Sequence, residues 1–426
     1  MSEYAAVSTQ LLSCAAILFS LGLGACNKDA SPTPEPAASA AATASATSSA
    51  ATAAVTPGVV HGAKVQEKSL LSQVYEVDDI YPSMTGPNST ESITLGSTEE
   101  PELVWVVGFE ASMVQPDGKT AASQEFMCHT NLDVDPTNHG SRFGAEKSIT
   151  GRLFTLSQGQ YRIDMPPGFG IPMQSDEVIM VNTQVLNLNM KEGKKRVRHR
   201  VLMRFVRDAD LKKPLKPLYV AGAYGLKLLE GKDGHYGLDT QKVSHAGHHQ
   251  GHGDHEHGEG DVDHTACLPG KNAGANAFDD GKGRVFTGHW VVEPGREVNH
   301  TRVTELMDLP FDTTLHYVAV HLHPFAESLE LKDLTTGKTV YEAKTRQADE
   351  GVGLAHVDFF SSPEGIPVFK DHEYEMISVY NNTSGKPQDS MAVMNLYLLD
   401  QEFRRPEKVA PSSTAKPKPA KKAPSM

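Results

Sequence analysis

The residues best suited to metal binding or catalysis are two histidines in the C-terminal half of the chain, His321 and His323. They end an apolar, strand-like run over residues 315–323, and side chains two apart on a strand project from the same face. Two imidazoles on one rigid face can hold a metal ion, so this pair predicts a metal site. His316, an odd number of residues from both, is expected to face the other side and to be structural.

A second candidate for metal binding is the strand-like run over residues 389–399, which carries Met391 and Met394. A thioether is a soft ligand that favours copper, especially Cu(I), over zinc or magnesium. The alternative is that these methionines simply fill the core. If one of them reaches the two imidazoles, the sequence predicts a copper site.

Length and composition limit the elements that can position these residues. The chain has 426 residues, with 40 Lys and Arg against 53 Asp and Glu and a formal net charge of −13. This acidic balance argues against nucleic acid as a partner, because phosphate binding needs clustered positive charge. The only apolar run near membrane-relevant length covers residues 11–23. It is shorter than the roughly 20 residues of a helical span, which excludes a multi-pass membrane protein.

The two ends of the chain are predicted to be an export signal with a tether, and a tail. The apolar run continues into Leu23-Gly24-Ala25-Cys26, which resembles a bacterial lipobox with Cys26 as the lipidated residue. Residues 1–26 are therefore predicted to be a lipoprotein signal peptide, with an ordinary cleaved signal as the alternative. No Lys or Arg precedes the apolar run, which leaves open whether Met1 is the true start. The protein is expected in the bacterial cell envelope, attached to a membrane only through its lipid.

The remaining chain divides by composition. Residues 27–60 form an Ala/Ser/Thr/Pro linker and residues 403–426 a Lys/Pro-rich tail, both too poor in apolar residues to pack. Between them, short β-rich runs alternate with turn residues, which indicates an all-β protein of antiparallel sandwiches. A His-rich segment over 231–280 separates a predicted N-terminal sandwich, residues 61–230, from a predicted C-terminal copper-binding sandwich, residues 281–402.

The C-terminal half resembles the type II copper, ascorbate-dependent monooxygenases, the family of peptidylglycine α-hydroxylating monooxygenase and dopamine β-monooxygenase. The segments that carry this resemblance occur in the family's order: Val291-Val-Glu-Pro-Gly-Arg296, His321-Leu-His323, Asp389-Ser-Met391 and Asn395-Leu-Tyr397. The resemblance implies two jelly-roll-like antiparallel β-sandwiches, similar to those of the hydroxylating monooxygenase and of PNGase F. It also implies copper bound by His321, His323 and Met391. Met394 stays open as the sulfur ligand, because the spacing from Met391 to Asn395 differs from the family's.

The first half of the chain matches the family less well, and its candidate residues have two interpretations. His129 occupies the place of the family's second copper site, whose other ligands are missing here. Cys128 and Cys267 would be the cysteines left after export, and in an exported protein such a pair favours a disulfide. The alternative is a thiolate ligand set of Cys128, His129 and Cys267. The seven histidines of 245–264 either bind metal adaptively or form an incidental, sticky loop.

Three functions follow from these features. The first is an exported, lipid-anchored copper monooxygenase that hydroxylates an unidentified small molecule or peptide with dioxygen and a reductant such as ascorbate. The second is a non-catalytic lipoprotein that binds and buffers copper, and the third is a structural double sandwich without metal. The chain is expected to act as a monomer.

Overall fold

The computed structural model describes residues 58–143, 150–232, 235–237 and 277–406. The predicted signal peptide and most of the linker, the C-terminal tail from residue 407 and the His-rich run 245–264 lie outside these residues. Strands dominate the described part of the chain. Its α-helices are α1 (Pro136–Phe143) and α2 (Thr304–Met307), and two 3₁₀ turns cover Gln124–Phe126 and Asp208–Asp210. No helix in the described ranges has the length and apolar character needed to cross a membrane.

The strands before the His-rich segment are, in chain order, β1 (Val59–Val60), β2 (Ala63–Lys64), β3 (Gln66–Leu71), β4 (Tyr75–Val77), β5 (Asn88–Ile93), β6 (Leu103–Val114), β7 (Met127–Asp133), β8 (Arg152–Ser157), β9 (Arg162–Asp164), β10 (Phe169–Gln174), β11 (Ile179–Val185), β12 (Lys195–Arg207), β13 (Lys216–Tyr224) and β14 (Lys227–Glu230).

The strands after it are β15 (Ala277–Asp279), β16 (Val285–Thr287), β17 (Trp290–Val292), β18 (Gly295–Arg302), β19 (Thr313–Leu322), β20 (Ala326–Asp333), β21 (Lys338–Gln347), β22 (Leu354–Val357), β23 (Phe360–Val368), β24 (Tyr374–Asn382), β25 (Gln388–Ser390) and β26 (Ala392–Leu399). The all-β class predicted from the sequence is confirmed.

One large sheet joins strands from both halves of the chain, in the order β23-β19-β26-β13-β10-β6-β12-β3. Two further strands belong to it: β4 pairs with β12, and β9 pairs with β6. Its strand pairs are antiparallel except β10 with β13, which run parallel. A four-stranded sheet, β5-β11-β7-β8, and a five-stranded sheet, β18-β24-β20-β21-β22, complete the main body. This continuity across the His-rich segment was not predicted. The boundaries proposed for two separate domains stay a prediction.

The large sheet is covered on both faces, which explains the apolar runs in its middle strands. In β19, Tyr317 and Ala319 belong to a core shared with the four-stranded sheet. The alternate residues Val318 and Val320 belong to a second core, shared with the five-stranded sheet. Because successive side chains point to opposite faces, a strand between two cores must be apolar on both. The body is therefore layered, with sheets packed on each side of the large one.

Strand β12 shows how the alternating pattern of the sequence determines burial. Val197, Val201 and Met203 point into the core, while the arginines between them are partly exposed. His199 shares the inward face and is fully buried. Its Nδ1 lies 2.8 Å from the Thr130 hydroxyl, and the ring of Tyr75 packs against it edge-on. Burial lowers the pKa of His199 to about 3, although the nearby Gln184 carbonyl acts in the opposite direction.

The buried His199 should make the free energy of unfolding fall in acid. The unfolded chain binds a proton at this residue below about pH 6.5, and the folded chain does so only near pH 3. From pH 7 to pH 5 this one residue should therefore cost about 2 kcal/mol of stability. Replacing it by glutamine, His199→Gln, should remove that part of the pH dependence, as measured by urea unfolding at both pH values. The exposed-histidine control His356→Gln should keep the wild-type dependence, and an unchanged dependence in His199→Gln would contradict the assignment.

Candidate metal centre

Two pieces of backbone converge at the end of β19. His321 lies in the strand and projects from the same face as Tyr317 and Ala319, toward the four-stranded sheet. His323 follows directly after the strand ends. The pairing of β19 with β23 ends at Val318. The backbone N–H of Val320 donates instead to the side-chain oxygen of Gln160, at 3.1 Å. The side chain of Gln160 also donates to the Tyr317 hydroxyl at 3.1 Å, which fixes the end of β19 against the neighbouring sheet.

The second piece is the short two-stranded ladder of β17 and β25. Trp290 pairs with Ser390 and Val291 with Asp389, so His289, just before β17, lies beside Asp389. The Ser390 hydroxyl donates to the Trp290 carbonyl at 3.2 Å, and the backbone N–H of His289 donates to the Thr287 hydroxyl at 3.1 Å. The ladder thus holds an imidazole and a carboxylate in fixed positions next to His323.

His289, His323 and Asp389 form a compact triad of metal-ligating atoms. Each offers one atom, and these atoms lie within 4.8 Å of one another. Asp389 Oδ2 is 3.3 Å from His289 Nε2 and 3.0 Å from His323 Nδ1. Both imidazoles are buried, whereas the side chain of Asp389 is 16 % exposed to solvent. Within the described ranges this is the one such group of three His, Cys, Asp or Glu residues.

The contact between His323 and Asp389 is close but lacks hydrogen-bond geometry. Nδ1 of His323 is buried and has no hydrogen-bond partner, although the carboxylate oxygen is 3.0 Å away. An orphaned buried nitrogen is costly unless something else binds to it. A cation that accepts the Nδ1 lone pair and a carboxylate oxygen would satisfy both atoms, so this observation fits a metal ion.

Serine hydroxyls hold the outer nitrogens of the two predicted histidines. His323 Nε2 lies 3.4 Å from the Ser83 hydroxyl, and His321 Nδ1 lies 2.9 Å from the Ser157 hydroxyl. Histidines that bind metals commonly use the second ring nitrogen for such a hydrogen bond, which fixes the tautomer and the ring orientation. The rings of His321 and His323 are perpendicular, with centroids 5.2 Å apart.

Tyr380 joins the two converging segments. Its hydroxyl accepts from the backbone N–H of His323 at 3.3 Å and donates to the Met391 carbonyl at 2.5 Å. The ring is fully buried and packs edge-on against Trp290. One side chain therefore ties the backbone after β19 to the backbone that follows Asp389.

The charges around the triad favour a cation. Burial alone would raise the pKa of Asp389, but contacts with His289 and His323 hold it well below the usual range, so the carboxylate is ionised. Burial lowers the pKa of His321 well below its usual value, and the charges of His323, His129 and His289 lower it further. His321 is therefore neutral at physiological pH, as a metal ligand must be.

His129, predicted for a second copper site, lies close to this group. It sits in β7 directly opposite Ser157, the residue that holds His321. Burial lowers the pKa of His129 to about 3, and the charges of Arg152, His199 and His323 contribute. The structure thus brings His129, His321 and His323 into one neighbourhood, although the compact triad contains only His323 of the three.

A cleft opens over these residues. Its space is about 320 Å³ including the mouth, and it is lined by Ser83, Met127, Cys128, Ser157, Gln158, Leu186, Leu188, His321, Leu322, His323, Pro324 and Asp389. Turns on either side of it carry non-glycine residues with left-handed backbone, Met84 (φ 66°) and Phe325 (φ 70°). Such conformations cost free energy and concentrate at functional sites.

The two methionines predicted as possible sulfur ligands differ in burial. Met394 is fully buried in the core shared with the five-stranded sheet. Met391 is partly exposed, and neither methionine is among the described residues that line the cleft. His316 has both ring nitrogens occupied, by the Ser362 carbonyl at 3.0 Å and the Thr314 hydroxyl at 2.7 Å, in keeping with a structural role.

Cys128 lines the cleft, with its sulfur 3.7 Å from the Ser83 hydroxyl. The described residues contain no disulfide, and Cys267 lies outside them. The pairing of Cys128 with Cys267 and the alternative thiolate ligand set both stay predictions.

Sequence reasoning did not predict two members of the triad. Asp389 was noticed only as the acidic residue before Met391, and His289 was not singled out. Knowledge that β17 pairs with β25 would have identified them, because His289 directly precedes β17 and Asp389 lies within β25. That pairing links residues about 100 positions apart, which no local pattern reveals.

Comparisons with known proteins assign no family. No protein-family model matches the sequence, and no curated protein matches it. One solved structure with some likeness is VP54 of PBCV-1, fitted into a cryo-EM reconstruction of the virophage Sputnik. Its sequence identity to this chain is 9 % and the TM-score is 0.29, with 80 % of this chain and 96 % of that chain covered. For PNGF-II the identity is 8 % and the TM-score 0.30, with 78 % of this chain and 65 % of that chain covered. For the ANXUR1 extracellular domain from Arabidopsis thaliana the identity is 9 % and the TM-score 0.15, with 78 % and 90 % covered. Likenesses at these scores carry no inference about this chain.

Removing the carboxylate charge should weaken metal binding at the triad. Asp389→Asn keeps the side-chain size but removes an anionic oxygen between two imidazoles. We expect the affinity of the tightest Cu(II) or Zn(II) equivalent to fall by more than about tenfold, or roughly 1.4 kcal/mol, as measured by competition with a chelator. The matched control is Asp358→Asn, which alters an Asp–His pair of 3.0 Å with the exposed His356 and should leave that affinity unchanged. Equal affinities for wild type and Asp389→Asn would exclude the triad as the site.

Proposed function

We propose that this protein is a copper-dependent oxidoreductase of the monooxygenase type, with its metal held by His289, His323 and Asp389. The observation that carries the proposal is the buried triad, in which an orphaned imidazole nitrogen faces an ionised carboxylate. A site with three protein ligands leaves coordination positions open for a small molecule, as catalytic metal sites do. The resemblance of the C-terminal half to copper monooxygenases adds to this proposal.

The donor set limits which ions fit. Imidazole and carboxylate ligands suit first-row transition metals such as Cu(II), Zn(II) and Fe(II) rather than Mg²⁺ or Ca²⁺. His321 is the natural fourth ligand, because its ring lies beside His323 and Ser157 fixes its Nδ1. Met391 stays the candidate for a sulfur ligand, as the resemblance implies. Copper is therefore supported chiefly by the imidazoles and by the resemblance.

The residues of the chain have distinct tasks in this proposal. Ser83 and Ser157 hold the imidazoles by their outer nitrogens, and Tyr380 fixes the backbone between them. Leu186, Leu188 and Met127 line the cleft and exclude water from its inner part. A bound copper ion supplies one-electron chemistry with dioxygen, while the protein supplies orientation and a restricted space. An organic substrate would enter through the open mouth of the cleft.

Copper buffering without catalysis is the second candidate. It is favoured by the position of Met391 and Met394 outside the cleft lining and by the seven histidines of 245–264 in the sequence. A buffering protein should bind copper tightly and suppress its reaction with oxygen. A monooxygenase should accelerate that reaction. The two functions therefore predict opposite changes in the rate of oxygen consumption relative to free copper.

Oxygen consumption distinguishes them. Full-length protein loaded with one equivalent of copper and supplied with ascorbate should consume oxygen faster than the same concentration of free copper. Asp389→Asn should lose this excess, because its copper is no longer held at the triad, and the surface control Asp358→Asn should keep it. An oxygen electrode measures all three. Wild-type consumption at or below that of free copper would remove the catalytic proposal and leave buffering.

The cell-envelope location belongs to the same proposal and is supported by the sequence around Cys26. Cys26→Ser should abolish acylation, because it removes the only thiol of the lipobox-like segment. We expect the protein to shift from the membrane fraction to the soluble fraction on cell fractionation. The control Cys14→Ser, inside the predicted signal, should remain with the membrane. Wild-type protein found in the soluble fraction would contradict the anchor.

A further inference from the structure

Two histidines lie side by side at the outer edge of the five-stranded sheet, on segments that contribute nothing to the triad. His300 belongs to β18, the edge strand. His235 lies on the short segment 235–237, where the backbone N–H of Arg302 donates to the Tyr236 carbonyl at 3.0 Å. The Tyr236 side chain is buried with Leu226 and Phe286. The backbone next to His235 is therefore fixed against the sheet.

Each of these imidazoles has one nitrogen committed to an oxygen acceptor. His300 Nδ1 lies 2.9 Å from Glu375 Oε1, and Glu375 is largely buried in β24. His235 hydrogen-bonds to the Asn299 side chain. The Asn299 amide nitrogen donates to the Leu226 carbonyl at 3.0 Å, and in the proposed arrangement the amide oxygen accepts from His235. Each ring therefore donates one N–H and keeps a lone pair on the other nitrogen.

This is the arrangement found around metal-bound histidines, in which the second nitrogen donates to a carboxylate or a carbonyl-type oxygen. The two ring centroids are 5.3 Å apart. Imidazoles that share a tetrahedral ion through N–metal bonds of about 2.0–2.1 Å have centroids roughly 5 Å apart. His235 is exposed, and the His300 side chain is 35 % exposed, so an ion can approach from solvent.

We propose that His235 and His300 form a second, surface-exposed site for a divalent transition metal, of the class of Zn²⁺, Ni²⁺ or Cu²⁺. Glu375 and Asn299 orient the two imidazoles from behind, and water completes the coordination. With only two protein ligands the ion exchanges readily, unlike an ion in the buried triad. The carboxylate of Glu375 adds negative charge behind the rings, which favours a cation at this edge. This site does not depend on the function proposed for the triad.

Counting bound zinc tests the proposal in the full-length protein. Zn²⁺ bound at saturation is measured by equilibrium dialysis for the wild type, His235→Ala, His300→Ala and the double variant. Each single variant should lose the same one equivalent, and the double variant should also lose only one, because both residues serve one ion. The control His356→Ala alters an exposed histidine that has a carboxylate partner at 3.0 Å but is placed elsewhere, and it should lose none. Unchanged zinc in the single variants, or a loss of two equivalents in the double variant, would overturn the proposal.

A second variant tests the orienting role of Glu375. Glu375→Gln should keep the number of zinc ions but lower the affinity of this equivalent by about tenfold or more, as losing such a partner does in other sites. An unchanged affinity would show that the carboxylate has no part in the site. Combining His300→Ala with Asp389→Asn separates this site from the triad, because the double variant should lose one zinc equivalent and also show the weakened tight site of Asp389→Asn. If Asp389→Asn leaves the affinity of the tightest equivalent unchanged while His300→Ala still loses one zinc, the triad fails and the surface site stands.

Discussion

The geometry of the candidate site depends on one buried carboxylate. Asp389 faces His289 and His323, and the contacts with both imidazoles outweigh the cost of keeping its charge away from water. Removing one member of such a buried group leaves the others uncompensated, which is far more costly than losing an exposed pair. The serine hydroxyls on the outer nitrogens and the tyrosine between the two backbones then limit how the rings can move. A metal cation would satisfy the orphaned Nδ1 of His323 and the carboxylate at once.

The position of that carboxylate follows from the layering of the fold. β19 ends at the junction of the four-stranded sheet and the large sheet, so its last histidine side chain meets Ser157 of β8. On the other side, the short ladder of β17 and β25 brings in His289 and Asp389. Six separate stretches of chain, near residues 83, 127, 157, 186, 321 and 389, line a cleft that none of them forms alone. Ser157, His321 and Asp389 lie in strands. His289 and His323 lie directly beside strand ends, which favours a preorganised site.

Much of the fold could be predicted from residue patterns, and part of the site could as well. The alternation in β12 identifies a strand, because burial on one face has a period of two. The short, continuous apolar run of β19 is typical of a strand that is buried on both faces. The pairing of His321 with His323 was visible for the same reason. His289 and Asp389 were not recognised, because their proximity depends on a strand pairing across about 100 residues. The single large sheet was missed too, since no local pattern reports that β13 pairs with β26. Met391, suggested by a matching motif, is not among the residues that line the cleft, and its role as a ligand stays a prediction.

The place of β26 has a consequence for how the molecule is made. This strand is the last of the described chain, yet it lies between β19 and β13 in the interior of the large sheet. Until residue 399 has left the ribosome, the two halves of that sheet have no strand to join them. An emerging chain would expose the unpaired edges of β13 and β19, together with the apolar faces of two incomplete cores. The native body can therefore close only after β26 has been synthesised, and until then the chain needs protection from aggregation.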